Sequence, residues 1–302
     1  MKNILGIGTP GFNIVKQLGK HRQYKPFVLS KSVEKETKYR CKLPDFDNPE
    51  DYENLKFSKI EKWLKTIKNE CVVFLSGASI SSGVTLRVLE VLHKNEVKIS
   101  VVYFMPELEV LSEIKFLNHR AVMGILQNYA RSGLFEKICL ISNIELENIV
   151  GSTNVFEYFD QINKVFTNTY FMMDVFKNSK PVTSTFTKPK ESCRISTIGI
   201  SSLDGEDTLF FPFQQEVEVV YYFAINEEKL KNEENLFRKI TEKVKSKITK
   251  QRKVSFGIYP TQYQEDYIYV EYSTPIIQEI NLGLFGLRSQ PINFSKIIAL
   301  ES

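Results

Sequence analysis

The residues in this chain whose types and spacing best suit chemistry are glycines and small hydroxyls. In Leu5-Gly6-Ile7-Gly8-Thr9-Pro10-Gly11-Phe12-Asn13-Ile14, glycines fall between an apolar run and a helical pattern. Bare backbone N–H groups and a helix N-terminus at such a place can hold a phosphate. Gly6, Gly8 and Gly11 also satisfy the dinucleotide fingerprint GxGxxG, so an NADP-binding oxidoreductase is one reading. That reading calls for an acidic residue at the end of the second strand, whereas Leu29 is followed by Ser30 and Lys31, which suit only a 2′-phosphate. The plainer alternative is a tight strand-to-helix turn with no ligand.

Other chemistries find little support. Cys41, Cys71, Cys139 and Cys193 include no CxxC pair and read as buried, reduced thiols of a cytoplasmic protein. His21, His93 and His119 lack metal-ligand spacing, so no metal is expected. The net charge of +4 is small. Its densest basic stretch, Lys229–Lys253, carries Phe237, Ile240, Val244 and Ile248 at three- and four-residue steps, which predicts an amphipathic helix with its lysines in solvent and argues against nucleic acid. The longest apolar runs are far below the roughly 20 residues of a membrane-spanning helix. The N-terminus reads as a first strand, not a secretory signal.

The elements that must position the glycines follow from hydrophobic period. Apolar runs at Ile4–Ile7, Phe27–Leu29, Val72–Leu75, Ile99–Phe104 and Ile138–Ile141 alternate with helical patterns at Ile60–Ile67, Val84–His93 and Ile114–Tyr129. This predicts a doubly wound, mainly parallel sheet. A long helix follows from Val155 to about Phe176, and residues 177–192, rich in Pro, Ser, Thr and Lys, read as a linker. Strands at Val217–Ile225, Val254–Ile258 and Tyr267–Tyr272, with a helix over 229–250, predict a smaller α+β domain. The expected division is residues 1–176, the linker 177–192, an α+β domain over 193–275 and an arm over 276–302.

The order of these signals resembles the tubulin/FtsZ family. Gly6 to Asn13 is similar to the first phosphate loop of FtsZ, and Ser76–Thr85 stands where that family carries its GGGTGTG or GGGTGSG loop. Ile138–Asn143 looks like the strand ending in Pro-Asn, and Tyr158–Phe166 like the central helix with its base-binding residues. Val254–Gly257 and Tyr267–Tyr272 look like a strand pair of the second domain. The resemblance covers residues 1 to about 275 and implies an α/β, tubulin/FtsZ-like fold: a parallel Rossmann-type sheet domain, a central helix and a smaller α+β domain. It also implies a nucleotide site at Gly8, Gly11, Asn13, Gly77, Ser79, Ser81, Ser82 and Gly83, with Asn143, Phe159 and Asn163 at the sugar and base.

The departures bear on activity. If the signature loop maps onto Ser79–Thr85, Gly83 alone remains of its glycines, and Lys164 replaces the carboxylate that accepts from guanine, although a lysine has no acceptor. After the central helix FtsZ sends carboxylates into the next subunit, whereas Lys180–Lys190 contains no Asp or Glu. Asp174 and Glu191 flank this stretch and read as ordinary surface charge. The expectation is a structural or assembly protein of the phage or plasmid type, a pseudo-GTPase acting by head-to-tail self-association or within a larger assembly. It would reside in a host cytoplasm or a virion, with no cofactor or weakly bound GTP or GDP. An active GTP-dependent filament former is the main alternative. Leu282–Arg288 reads as either a partner-binding peptide or a packed arm.

Overall fold

The computed structural model describes residues 1–279 apart from Ala78. Its strands are β1 (Lys2–Ile7), β2 (Tyr24–Ser30), β3 (Arg40–Lys42), β4 (Glu70–Ser76), β5 (Lys98–Met105), β6 (Lys137–Ser142), β7 (Thr183–Ser184), β8 (Ile195–Ser201), β9 (Thr208–Leu209), β10 (Glu218–Asn226), β11 (Lys253–Thr261) and β12 (Tyr267–Thr274). Its helices are α1 (Gly8–Leu18), α2 (Pro49–Glu53), α3 (Ser58–Leu64), α4 (Thr85–Lys94), α5 (Glu113–Arg131), α6 (Asn143–Val150), α7 (Tyr158–Lys177), α8 (Glu227–Asn232) and α9 (Leu236–Lys247).

The strands form one sheet in the order β3-β2-β1-β4-β5-β6-β8-β12-β10-β11-β7, with β9 on β8. From β3 to β6 every pairing is parallel. Beyond β6 the sheet is mixed: β12 runs antiparallel to both β8 and β10, while β10 and β11 are parallel. β6 and β8 meet over only two residue pairs, Ile138 with Ile195 and Cys139 with Ser196. The last strands thus do not continue the parallel series.

Alternation along each strand sorts the core. Leu5, Ile7, Val73 and Leu75 face α3, α4 and α5, whereas Ile4, Val72 and Phe74 face α1, α6 and α7. A third cluster joins β10, β11 and β12 to α9. Helix α7 spans the sheet: Phe166 packs on Phe74 and Phe104, and Phe176 on Tyr259 and Tyr269.

Several local expectations are corrected. The helix expected over 229–250 is broken at Glu233, whose backbone is extended. In α9 the inward stripe is Leu236, Ile240, Lys243 and Val244, while Phe237 and Ile248 are exposed. Lys243 turns inward because its ammonium donates to the Gly205 carbonyl and faces Asp207, which also accepts from Ser201, Tyr221 and Tyr272. Within residues 177–192, Thr183 and Ser184 pair with Ile258 and Gly257, because β-branched residues there extend the edge of β11. Most of the expected arm over 276–302, Leu282–Arg288 included, lies outside the described residues.

Candidate functional site

In the parallel part of the sheet, β1 stands between β2 and β4, and the chain's winding direction reverses there. In open α/β sheets ligands bind outside the carboxyl ends of strands at such a switch point. Helix α1 begins directly at the end of β1, with Gly8 at φ 72°, a left-handed conformation that glycine adopts without strain. The N-cap residue Ile7 makes no side-chain capping hydrogen bond, so the N-terminus of α1 offers donors and the positive end of its dipole.

The loop after β4 meets this turn. Ser79 and Ser81 share a hydrogen bond of 2.6 Å, and both hydroxyls lie over the Cα of Gly8, where an added Cβ would overlap Ser81 Oγ. Residues Ile80–Val84 form a 3-10 turn with Ser81 and Ser82 buried, and Asn118 of α5 donates to Ser82 Oγ at 2.8 Å. The expected phosphate loop is therefore a compact turn whose hydroxyls bond to the protein.

The remaining glycines serve packing. A Cβ on Gly77 would overlap Tyr103 Oη, and one on Gly83 would overlap the Pro49 carbonyl oxygen. A Cβ on Gly11 would overlap the Phe74 carbonyl oxygen, so α1 sits against β4 only because that position is bare. Loss of nucleotide retention in a bulky Gly11 variant would thus report disrupted packing as readily as a lost ligand. Gly83→Ala is expected to cost about 1–3 kcal/mol with no nucleotide present, from overpacking alone. A lower urea midpoint for the nucleotide-free protein checks this.

Asn13 lines a polar groove of about 230 Å³ between α1 and α7, together with Lys16, Lys20, Asp160 and Lys164. The structure thus brings Asn13 and Lys164 together. Phe159 and Asn163 lie one turn apart on α7; Phe159 is 68% exposed and meets the Tyr158 ring edge to face. Asn143 opens α6 two strands away from β4, and the buried Ser142 hydroxyl before it has no hydrogen-bond partner.

Beneath Gly77, Tyr103 Oη lies 2.7 Å from Nδ1 of His119, which is fully buried. Burial pushes the imidazole pKa down to about 4, and Nε2 has no partner. Neither residue stood out in the sequence, where a lone histidine on an apolar helix carries no signal. Asp174 is not the surface charge expected. It is buried, pairs with Lys2 at 2.6 Å and accepts from Tyr24 at 2.9 Å. Its place on the inward face of α7, beside the start of β1 and β2, explains the difference. Glu191 is exposed and meets Lys188 at 3.3 Å.

These features define a doubly wound α/β fold, with a long helix leading from the switch point onto a mixed sheet. The arrangement is the tubulin/FtsZ fold. Neither a protein-family model nor a curated protein matches the sequence. Among solved structures, the chain is similar to an empty FtsZ dimer of M. jannaschii, with 13% identity, 90% of this chain and 87% of that chain covered, and a TM-score of 0.66. It is likewise similar to GDP-form protofilaments of Bacillus thuringiensis serovar israelensis TubZ, with 12% identity, coverage of 90% and 83%, and a TM-score of 0.66. GDP-bound CetZ1 from Haloferax volcanii matches at 12% identity, coverage of 91% and 94%, and a TM-score of 0.63. The NADP reading finds no support in this fold, and Lys31, which it reserved for a 2′-phosphate, meets Asp45 at 2.7 Å. Among the described residues no helix is long and apolar enough to cross a membrane, and no cluster of side chains could hold a metal ion.

Proposed function

We propose that this chain is an assembly protein of the tubulin/FtsZ type that associates head to tail and does not turn over GTP. The observation that carries the reading is the contact of Ser79 and Ser81 with Gly8, which puts hydroxyls where a phosphate would need open backbone. The absence of Asp and Glu from Lys180–Lys190 supports it, since a neighbouring copy would have no carboxylate there to orient water. The N-terminus of α1 can still hold GDP or GTP weakly, with Asn13, Asn143, Phe159 and Asn163 toward the sugar and base. A heterologous contact between copies makes filaments or rings without any nucleotide chemistry. The cytoplasm, with a phage or plasmid setting, fits this role.

The test is phosphate release with magnesium and GTP across a protein concentration series. Positioning and charge stabilisation supply most of the catalysis of phosphoryl transfer, and losing a water-positioning group or charge clamp costs about 10²–10⁵ in rate. The expected result is release at background throughout, while light scattering shows assembly. Turnover above roughly one per minute that rises past an assembly threshold would restore the active GTPase.

A further inference from the structure

Among the described residues, nothing covers a row of apolar side chains along the outer side of α5. Ile114 is 72% exposed and Leu117 54%, and Ala121, Ile125 and Tyr129 are exposed with them. Their steps of three and four residues put them on one stripe of the helix, opposite the inward residues Met123, Leu126 and Ala130. A contiguous apolar stripe on a surface marks a contact site. Gly124, beside the stripe, points the same way. It sits in mid-helix, where glycine destabilises relative to alanine, yet a Cβ there would meet nothing within 4 Å. No neighbour among the described residues requires the bare position, whereas a segment laid close over the helix would.

The chain arrives at this stripe after β12. The Gln278 N–H donates to Gln127 Oε1 at 2.8 Å, and Gln127 Nε2 donates to the Gln278 carbonyl at 3.1 Å. Both residues are buried, and the Gln278 side chain is held in turn by the backbone of Gln214. Glu279, the last described residue, is therefore fixed beside Gln127. From Gln127 the row Gly124, Ala121, Leu117 and Ile114 runs back along α5 in steps of three and four, over about 20 Å. The sequence continues Ile280-Asn281-Leu282-Gly283-Leu284-Phe285-Gly286-Leu287, rich in Leu and Ile and without a charge. Extended, that segment reaches about 26 Å, enough to follow the whole row.

We infer that Ile280–Leu287 lies along the outer side of α5 of its own chain and covers the stripe from Gly124 to Ile114. Tethering at Gln278 favours the chain's own segment over that of another copy, because a short tether presents it at an effective concentration on the order of millimolar. The cover closes the α5 flank of the sheet to other molecules. It does not rest on the self-association proposed above.

The test is the rate of maleimide labelling of Ala121→Cys in the full chain, whose native cysteines are all buried. The comparison is the same chain carrying Leu284→Asp and Phe285→Asp as well. A covered thiol reacts only in the fraction of molecules whose cover is open, so the parent should label about tenfold or more slowly than the chain with the two aspartates. Ala121 is exposed and the aspartates lie outside the described residues, so far-UV circular dichroism should be unchanged; Ile125→Cys serves if Ala121→Cys misfolds. Equally fast labelling of the two chains would show the stripe bare and overturn the inference. Equally slow labelling would give the cover to something other than Ile280–Leu287 and overturn it too. The parent's protection should be the same at every protein concentration. Protection that fades on dilution would assign the stripe to a second copy, against the inference.

Discussion

Replacing Glu271 by Ala should cost about 2–4 kcal/mol, among the largest effects of any single substitution in this chain. The carboxylate sits on β12 with its side chain 8% exposed, and it pairs with Lys137 of β6 and with Lys177, at 2.8 Å, at the end of α7. Burial alone would raise its pKa, but the two ammoniums overturn that and hold the carboxyl down to about 2. Removing one member of a buried ion network leaves its partners uncompensated, typically at 3–5 kcal/mol. Because Lys137 and Lys177 keep 31% and 39% of their side-chain exposure, solvent relieves part of that penalty. Chemical denaturation of the nucleotide-free protein measures the cost. Replacing all three groups together by apolar residues of similar volume should be far milder than Glu271→Ala, since the network's own desolvation is then avoided. A triple variant as unstable as the single one would contradict this account.

The second large effect is acid sensitivity arising from His119. Its pKa falls from an ordinary 6.5 to about 4 because the ring is buried against Tyr103. Below pH 6.5 the unfolded chain therefore binds a proton that the folded chain refuses. Stability contributed by the neutral ring is complete above pH 6.5 and declines as pH drops toward 4. At about 1.4 kcal/mol per pH unit, the loss over that window is about 3 kcal/mol. His119→Phe keeps the ring volume and removes the proton site, so the stability difference between pH 7 and pH 4.5 should shrink by most of that amount. An unchanged pH slope in the variant would place the titration elsewhere. Glu271 titrates in a separate window, since the stability it lends is present above about pH 4.5 and lost as pH falls toward 2.

The parallel half of the fold was legible because its strands are buried on both faces and read as unbroken apolar runs, as Val72–Leu75 and Ile138–Ile141 do. The short β3, β7 and β9 were not, since two or three residues leave no period to count. Helix α6 was missed because Asn143–Val150 follows β6 directly, with no turn residue between them. Within the candidate site, sequence located the two loops that meet at Gly8. It did not separate glycines that could serve a ligand from those that serve packing, because Gly77 and Gly83 owe their bareness to Tyr103 and Pro49, distant in sequence. The same limit hid Asp174, Glu271 and Lys137, whose partners lie on elements distant in sequence.

The pairing of β6 with β8 has a mechanical consequence. Two register pairs join these strands, against six between β5 and β6 and seven between β8 and β12. A sheet so ribbed on either side and so thin along one line behaves like card with a crease. Torque applied to the ends of the chain is expected to bend that line before it bends either leaf. Arg194, whose guanidinium donates to the Phe135 carbonyl at 3.0 Å, and the Lys137–Glu271 clasp lie beside the crease and brace it.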